Sequence, residues 1–162
     1  MTDYEGLLRL LAEGNVEVIL VGGLAATAHG SARFTQDVEV VYRRSPENIS
    51  RLIAALAPVA PYLRGAPLGL PFRWDEETIA HGLNFALTTN AGDIDLLGEI
   101  AGGGTYENLL PHSVTIAVFG MDCRCLDLDA LLASKRAAGR PKDLEAIAEL
   151  EALREERDAA GG

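Results

Sequence analysis

Two β-branched runs separated by a glycine pair and a short alanine-rich stretch restrict the fold of this chain more than any other feature. Val16-Glu17-Val18-Ile19-Leu20-Val21 is nearly continuous in β-branched and apolar residues, as a buried strand is, and it stops at Gly22-Gly23. Leu24 to His29 reads as a short helix closed by Gly30, and Asp37-Val38-Glu39-Val40-Val41-Tyr42 as a second strand. Side chains alternate along a strand, so Asp37 and Glu39 share one face while Val38 and Val40 share the other. Two adjacent carboxylates in a buried-strand setting repel unless a cation lies between them. Magnesium suits that place, being hard and commonly held by one or two carboxylates plus substrate phosphates. Gly22-Gly23 lies where a strand meets a helix N-terminus, a place where backbone N–H groups and the helix dipole hold phosphate. Taken singly, a Gly-Gly pair is commonly a tight turn and an Asp-x-Glu strand a solvated face. Their order and spacing together point to phosphoryl or nucleotidyl transfer.

The remaining chain reads as an α+β, mixed α/β domain in which helices pack on a small sheet. Tyr4 to Glu13 forms a helix capped by Asp3, and Ser45-Pro46-Glu47 opens another that runs to about Ala57. Pro58 to Pro71 has loop chemistry. Leu83 to Thr88 and Ile94 to Leu97 are strands around an Asn90-Ala91-Gly92-Asp93 turn, and Val114 to Phe119 and Met121 to Leu126 form a second hairpin. Asp127 caps a helix ended by Gly139. Pro141 opens the last one, which runs to about Arg157 with Leu144, Ile147, Leu150 and Leu153 on one stripe. The expected organisation is one domain over residues 1–158 with a disordered tail at 159–162. Cys123 and Cys125 read as reduced, half-buried thiols, and the three histidines match no zinc spacing. With no long apolar run and no basic, apolar leader, no membrane partner is expected and the cytoplasm is the expected location. A net charge of −10 argues against a surface that coats polyanions generally, so any nucleic-acid contact must be local.

The run Val18-Ile19-Leu20-Val21-Gly22-Gly23-Leu24-Ala25-Ala26, then His29-Gly30, Arg33 and Thr35-Gln36-Asp37-Val38-Glu39-Val40, resembles the signature of the DNA-polymerase-beta-like nucleotidyltransferase superfamily. It is most similar to the minimal, toxin–antitoxin-associated branch that includes the abortive-infection nucleotidyltransferase toxins. A second stretch, Ser134-Lys135-Arg136-Ala137-Ala138-Gly139-Arg140-Pro141-Lys142-Asp143, resembles a Lys-x-x-x-Gly-Arg-x-Lys-Asp segment of the same branch and holds both lysines of the chain. The resemblance spans Val16 to Leu150, with Pro58 to Arg73 unmatched. It implies a nucleotidyltransferase-like fold and a third carboxylate from a neighbouring strand. Asp95 is expected there, with Asp93 left to the turn. Glu39 stands where aspartate is commoner in this branch, and its extra methylene bears on metal geometry.

By this resemblance Asp37, Glu39 and Asp95 are the catalytic and metal-binding set for Mg2+ or Mn2+, and an NTP is the donor. Gly22, Gly23, Arg33, Lys135 and Arg140 are the expected nucleotide-binding residues. Lys135 and Arg140 read equally well as basic charges at a helix end. The expected reaction moves an NMP to a hydroxyl of a macromolecular acceptor, tRNA or another RNA, in a toxin–antitoxin or phage-defence system. The alternatives are a minimal antitoxin that nucleotidylates or caps a co-encoded protein partner, and a catalytically degenerate binding module. Between Ser31 and Trp74, six arginines stand against three acids, a local balance of +3. If they share one rim, RNA is favoured; arginines lying along a helix are the plainer explanation. Tyr62, Phe72 and Trp74 form either a partner surface or part of the core under the loop. A small-molecule acceptor is expected to need a second, acidic domain.

Overall fold

Several helices of this chain begin where a short polar side chain satisfies one of their first N–H groups. Asp3 accepts from Gly6 N at α1 (Tyr4–Glu13), Ser45 from Asn48 N at α3 (Pro46–Leu56), and Asp127 from Ala130 N at α6 (Leu128–Ala138). Gly139, left-handed at φ 61°, ends α6, and Pro141 opens α7 (Pro141–Gly161). The computed structural model describes residues 2–32 and 37–161. The remaining elements are β1 (Val18–Leu20), α2 (Gly22–Ala28), β2 (Val38–Tyr42), β3 (Tyr62–Leu63), α4 (Glu76–His81), β4 (Phe85–Thr89), β5 (Gly92–Leu97), β6 (Glu99–Ile100), β7 (Gly104–Thr105), α5 (Tyr106–Leu109), β8 (Ser113–Val118) and β9 (Met121–Leu126).

Seven strands form one mixed sheet in the order β3-β4-β5-β2-β1-β9-β8, and β6 and β7 pair separately. β2 runs parallel to β5 and β1 parallel to β9; the other neighbours in the large sheet are antiparallel. The centre is the driest part. Val38, Val40, Val41 and Tyr42 of β2, with Ile94 and Leu96 of β5, are all 0% exposed, and Glu39 alone interrupts the buried run of β2. Each such aliphatic side chain adds roughly 1.5–3 kcal/mol of burial, so the strand carrying Glu39 is fixed by its neighbours.

The mixed α/β class is as expected, with local differences. The Pro58–Pro71 stretch contains β3, because Tyr62 and Leu63 pair with Thr88 and Leu87 of β4. The Asp75 side chain caps an unforeseen α4, and Trp74 is pinned by its indole N–H to Ile53 O. Tyr62 and Phe72 meet edge to face, so this loop folds onto the core. On α7, Leu150 is buried but Leu144 is 66% exposed, since the first turn is held by charge contacts instead. The helix also continues through Gly161, past its expected end, so residues 159–161 are helix where a disordered tail was expected. Cys123 and Cys125 are free, and burial pushes the Cys125 thiol up to about 12.

α7 is tied to the segment that leads into β2. Glu149 accepts from Ser31 Oγ at 2.6 Å and Ala32 N at 3.1 Å. His29 Nε2 lies 2.6 Å from Leu126 O, which only accepts, so Nε2 carries the proton and Nδ1 accepts from Arg157 Nη1 at 2.8 Å. Burial holds the imidazole below its ordinary value of 6.5, with Arg157 acting the same way and the Leu126 carbonyl and Asp127 opposing. A base that is harder to protonate when folded contributes stability that is present above its unfolded pKa and lost as the pH falls below it. The urea midpoint is therefore expected to be higher at about pH 7.5 than at about pH 5.5, and this gap is expected to shrink in His29→Gln. An equal gap in both proteins would remove His29 as its source.

Candidate active site

The parallel pairing of β2 with β5 sets Glu39 directly opposite Asp95, with Val38 opposite Ile94 and Val40 opposite Leu96. Neighbouring strands lie about 4.8 Å apart, so the two carboxylates leave the same sheet face at one level. Asp93 lies two residues earlier on β5 and so on that face too, and Asp37 stands just ahead of β2, two residues before Glu39. Burial raises the pKa of Glu39, and the charges of Asp95 and Asp37 push it further up against Lys135 and Arg140. Burial likewise raises Asp95, with Asp37 and Asp93 adding to it and Arg64 opposing. Four carboxylates crowd one strand pair.

Gly22 begins α2 at φ 65°, a conformation that favours glycine, and no side chain caps that helix. A Cβ on Gly22 would lie 1.7 Å from Glu39 Oε2, so the longer glutamate lies against the glycine backbone. Across a cleft of about 240 Å³, Gly22, Glu39 and Asp95 face Ser134, Lys135 and Arg140. The basic wall is organised by Asp143, whose side chain is 2% exposed. Asp143 accepts from Arg140 Nε at 2.8 Å, Nη2 at 3.2 Å and backbone N at 3.1 Å, and lies 3.6 Å from Lys135 Nζ. The hydrogen bond from Arg140 holds the Asp143 carboxyl below the usual range.

The acidic wall has its own cation. Arg64, one residue past β3, approaches Asp95 Oδ1 at 2.9 Å through Nη2, Asp93 Oδ2 at 3.3 Å through Nε and Asp37 Oδ2 at 3.8 Å through Nη1. Among the described residues, no three His, Cys, Asp or Glu side chains stand close enough to share one ion. The donor set nevertheless fits a hard divalent cation. It is all oxygen, and Asp95 Oδ1 is buried without a hydrogen bond despite its proximity to Arg64.

The structure brings Gly22, Glu39, Asp95, Lys135 and Arg140 to one cleft and joins Asp37 to Asp95 through Arg64. Gly23 lies in the first turn of α2, and Arg33 lies outside the described residues. Asp93 is not a turn residue: it pairs with Thr88 inside the β4–β5 ladder. Nor do the described arginines form one basic rim. Arg43 and Arg51 converge on Glu17, at 2.7 and 3.8 Å, while Arg44 donates to Tyr42 Oη and to Ala80 O. Arg64 and Asp143 are site residues that the sequence reading did not assign. The Arg-Pro-Lys-Asp spacing, an acid in the first turn of a Pro-started helix, was the available signal for Asp143.

No protein-family model and no curated protein sequence matches the chain. Its fold does match solved structures. The crystal structure of ANT(2")-Ia in complex with adenylyl-2"-tobramycin is 14% identical, with a TM-score of 0.56 over 98% of this chain and 96% of that one. The solution structure of the antibiotic-resistance factor ANT(2'')-Ia is 18% identical, with a TM-score of 0.55 over 96% and 91%. The fold is nucleotidyltransferase-like. TM1012 from Thermotoga maritima, a candidate nucleotidyltransferase, reaches a TM-score of only 0.48 at 14% identity over 98% and 96%, and adds no weight.

Because burial and like charge both raise Glu39, the folded chain binds that proton more tightly than the unfolded one. The sign is opposite to that of His29: the contribution is present at low pH and lost as the pH rises through the raised pKa. Glu39→Gln is therefore expected to raise the urea midpoint at neutral pH, with an unchanged denaturant slope. A lower midpoint would show that Glu39 holds its place by attraction rather than under repulsion. Gly22→Ala is expected to lose about 1–3 kcal/mol, from the positive φ and the displaced carboxylate, in the same measurement.

Proposed function

We propose that this chain is a metal-dependent nucleotidyltransferase that moves an NMP from an NTP to an acceptor hydroxyl. The observation that carries the reading is the register of Glu39 with Asp95 on parallel strands, facing Lys135 and Arg140 across one cleft. Asp37, Glu39 and Asp95 would hold Mg2+ or Mn2+, which supplies charge neutralisation at the phosphates and acidifies the acceptor hydroxyl. Lys135 and Arg140, oriented by Asp143, bind the β- and γ-phosphates, while the backbone at Gly22 allows their close approach. Asp95, with its raised pKa, takes the proton of the acceptor hydroxyl. The acceptor oxygen bonds to the α-phosphorus as the bond to the β-phosphate oxygen breaks, and pyrophosphate leaves.

For the acceptor we propose an RNA end, tRNA foremost, in a toxin–antitoxin or phage-defence setting. The resemblance of the Gly22–Val40 and Lys135–Asp143 stretches to the minimal branch supports it. A second reading is a small cationic acceptor. It is favoured by the fold shared with ANT(2")-Ia and by an acidic wall that accommodates a guanidinium.

The test is incubation with each α-labelled NTP, Mg2+ or Mn2+, and in parallel total RNA, a co-encoded protein and tobramycin. Label is expected in RNA, and Asp37→Ala and Asp95→Asn are each expected to lower it by about a hundredfold or more. Label in protein selects the antitoxin reading, and label on tobramycin the small-acceptor reading. No label in any arm leaves a binding module and sinks the enzyme.

A further inference from the structure

The Arg64 guanidinium is bound in a way that differs from the other arginine–aspartate contact at the site. Arg140 grips a single carboxylate through two side-chain nitrogens, the fork geometry expected of a structural ion pair. Arg64 instead spreads over three carboxylates, one nitrogen to each, at 2.9, 3.3 and 3.8 Å. Its Nη2 donates to a backbone carbonyl, Leu87 O, at 2.8 Å, while Arg64 Nε and Asp95 Oδ1 are buried with no hydrogen bond. The contact is thus one of charge, with poor directional matching. It is also anchored at the sheet margin. Arg64 follows the two-residue edge strand β3, is held there by its N–H to Ala86 O, and precedes Gly65 at φ 77° and Leu68, which is 94% exposed.

A single positive charge, loosely fitted among carboxylates that repel one another, is what a divalent cation would replace. The ion carries twice the charge in less volume and takes oxygen ligands in closer contact. We propose that Arg64 is the internal counter-ion of the candidate metal site. Its guanidinium occupies the space between Asp37 and Asp95 and has to withdraw before a divalent cation binds there. Arg64 therefore sets the metal affinity below what the carboxylates alone would give. The inference rests on reading Asp37 and Asp95 as metal ligands.

The test is Mn2+ binding to the full chain, read as free Mn2+ by electron paramagnetic resonance, without NTP or acceptor. Arg64→Gln is expected to bind Mn2+ about tenfold more tightly than wild type, and to melt lower in EDTA yet gain more from Mn2+. Arg64→Lys, which keeps the charge without the planar fork, is expected to fall between them. It carries the test alone if the glutamine variant fails to fold. Asp95→Asn is expected to remove the bound Mn2+ in either background. Loss of Mn2+ in Asp95→Asn with equal or weaker binding in the Arg64 variants overturns the counter-ion role and leaves the metal reading standing. Mn2+ binding that ignores Asp95, or none at all, overturns both. Exchange as described without nucleotide labelling would sink the transfer reading while keeping this one.

Discussion

Like-charge crowding on one strand pair is the constraint around which the rest of this molecule is arranged. The parallel β2–β5 register is fixed by apolar residues that are fully buried beneath it, so Glu39 and Asp95 cannot slide apart without moving Val38, Val40, Ile94 and Leu96. A slip by one residue would turn every one of those side chains to the wrong face. The hydrophobic core therefore imposes the electrostatic cost, and the surroundings offset it. Arg64 approaches from the sheet edge, Lys135 and Arg140 act on Glu39 from the helix side, and Gly22 gives the Glu39 carboxylate room against the backbone.

The offsetting charges are distributed unevenly, and that polarity gives the cleft its chemical character. Asp37, Asp93 and Asp95 face a guanidinium on one side, whereas Lys135 and Arg140 share Asp143 on the other. Glu39 lies between the two regimes, pushed up by Asp95 and Asp37 and drawn down by Lys135 and Arg140. A ligand with cationic and anionic ends fits such a field, and a metal–triphosphate complex is one. The overall charge of −10 describes the whole chain and conceals this local dipole.

Much of this was legible in the sequence because it is local. The Gly22-Gly23 joint, the alternation of Glu39 with Val38 and Val40, the Asp127 and Ser45 caps and the Gly139–Pro141 break are set by neighbouring residues, and each lies where pattern and turn chemistry put it. What was not legible is what the topology brings from far away. Arg64 comes to Asp37, Asp93 and Asp95 only because β3 pairs with β4, a ladder that two residues of a proline- and glycine-rich stretch do not announce. Asp93 read as a turn residue because it follows Asn90-Ala91-Gly92, yet the ladder extends to Thr89 and Gly92 and takes it in. The arginines between Ser31 and Trp74 give a local balance of +3 by position in the sequence, whereas in the fold Arg43 and Arg51 converge on Glu17, which lies outside that segment.

The last helix connects these parts. Its first turn carries Asp143, which sets Lys135 and Arg140, and its middle carries Glu149, which holds Ser31 and Ala32 ahead of β2. Near its end, Arg157 binds both Nδ1 and the carbonyl of His29. Contacts so far apart along one helix fix its axis relative to the sheet more firmly than a single contact could. The basic wall and the approach to the carboxylate strand are thereby referred to the same rigid body. A shift of α7 would move Asp143 and Glu149 together, changing the width of the cleft and the entry into β2 at once. The helix that looks peripheral in sequence, polar and far from the glycine pair, is the frame that keeps the two halves of the site in register.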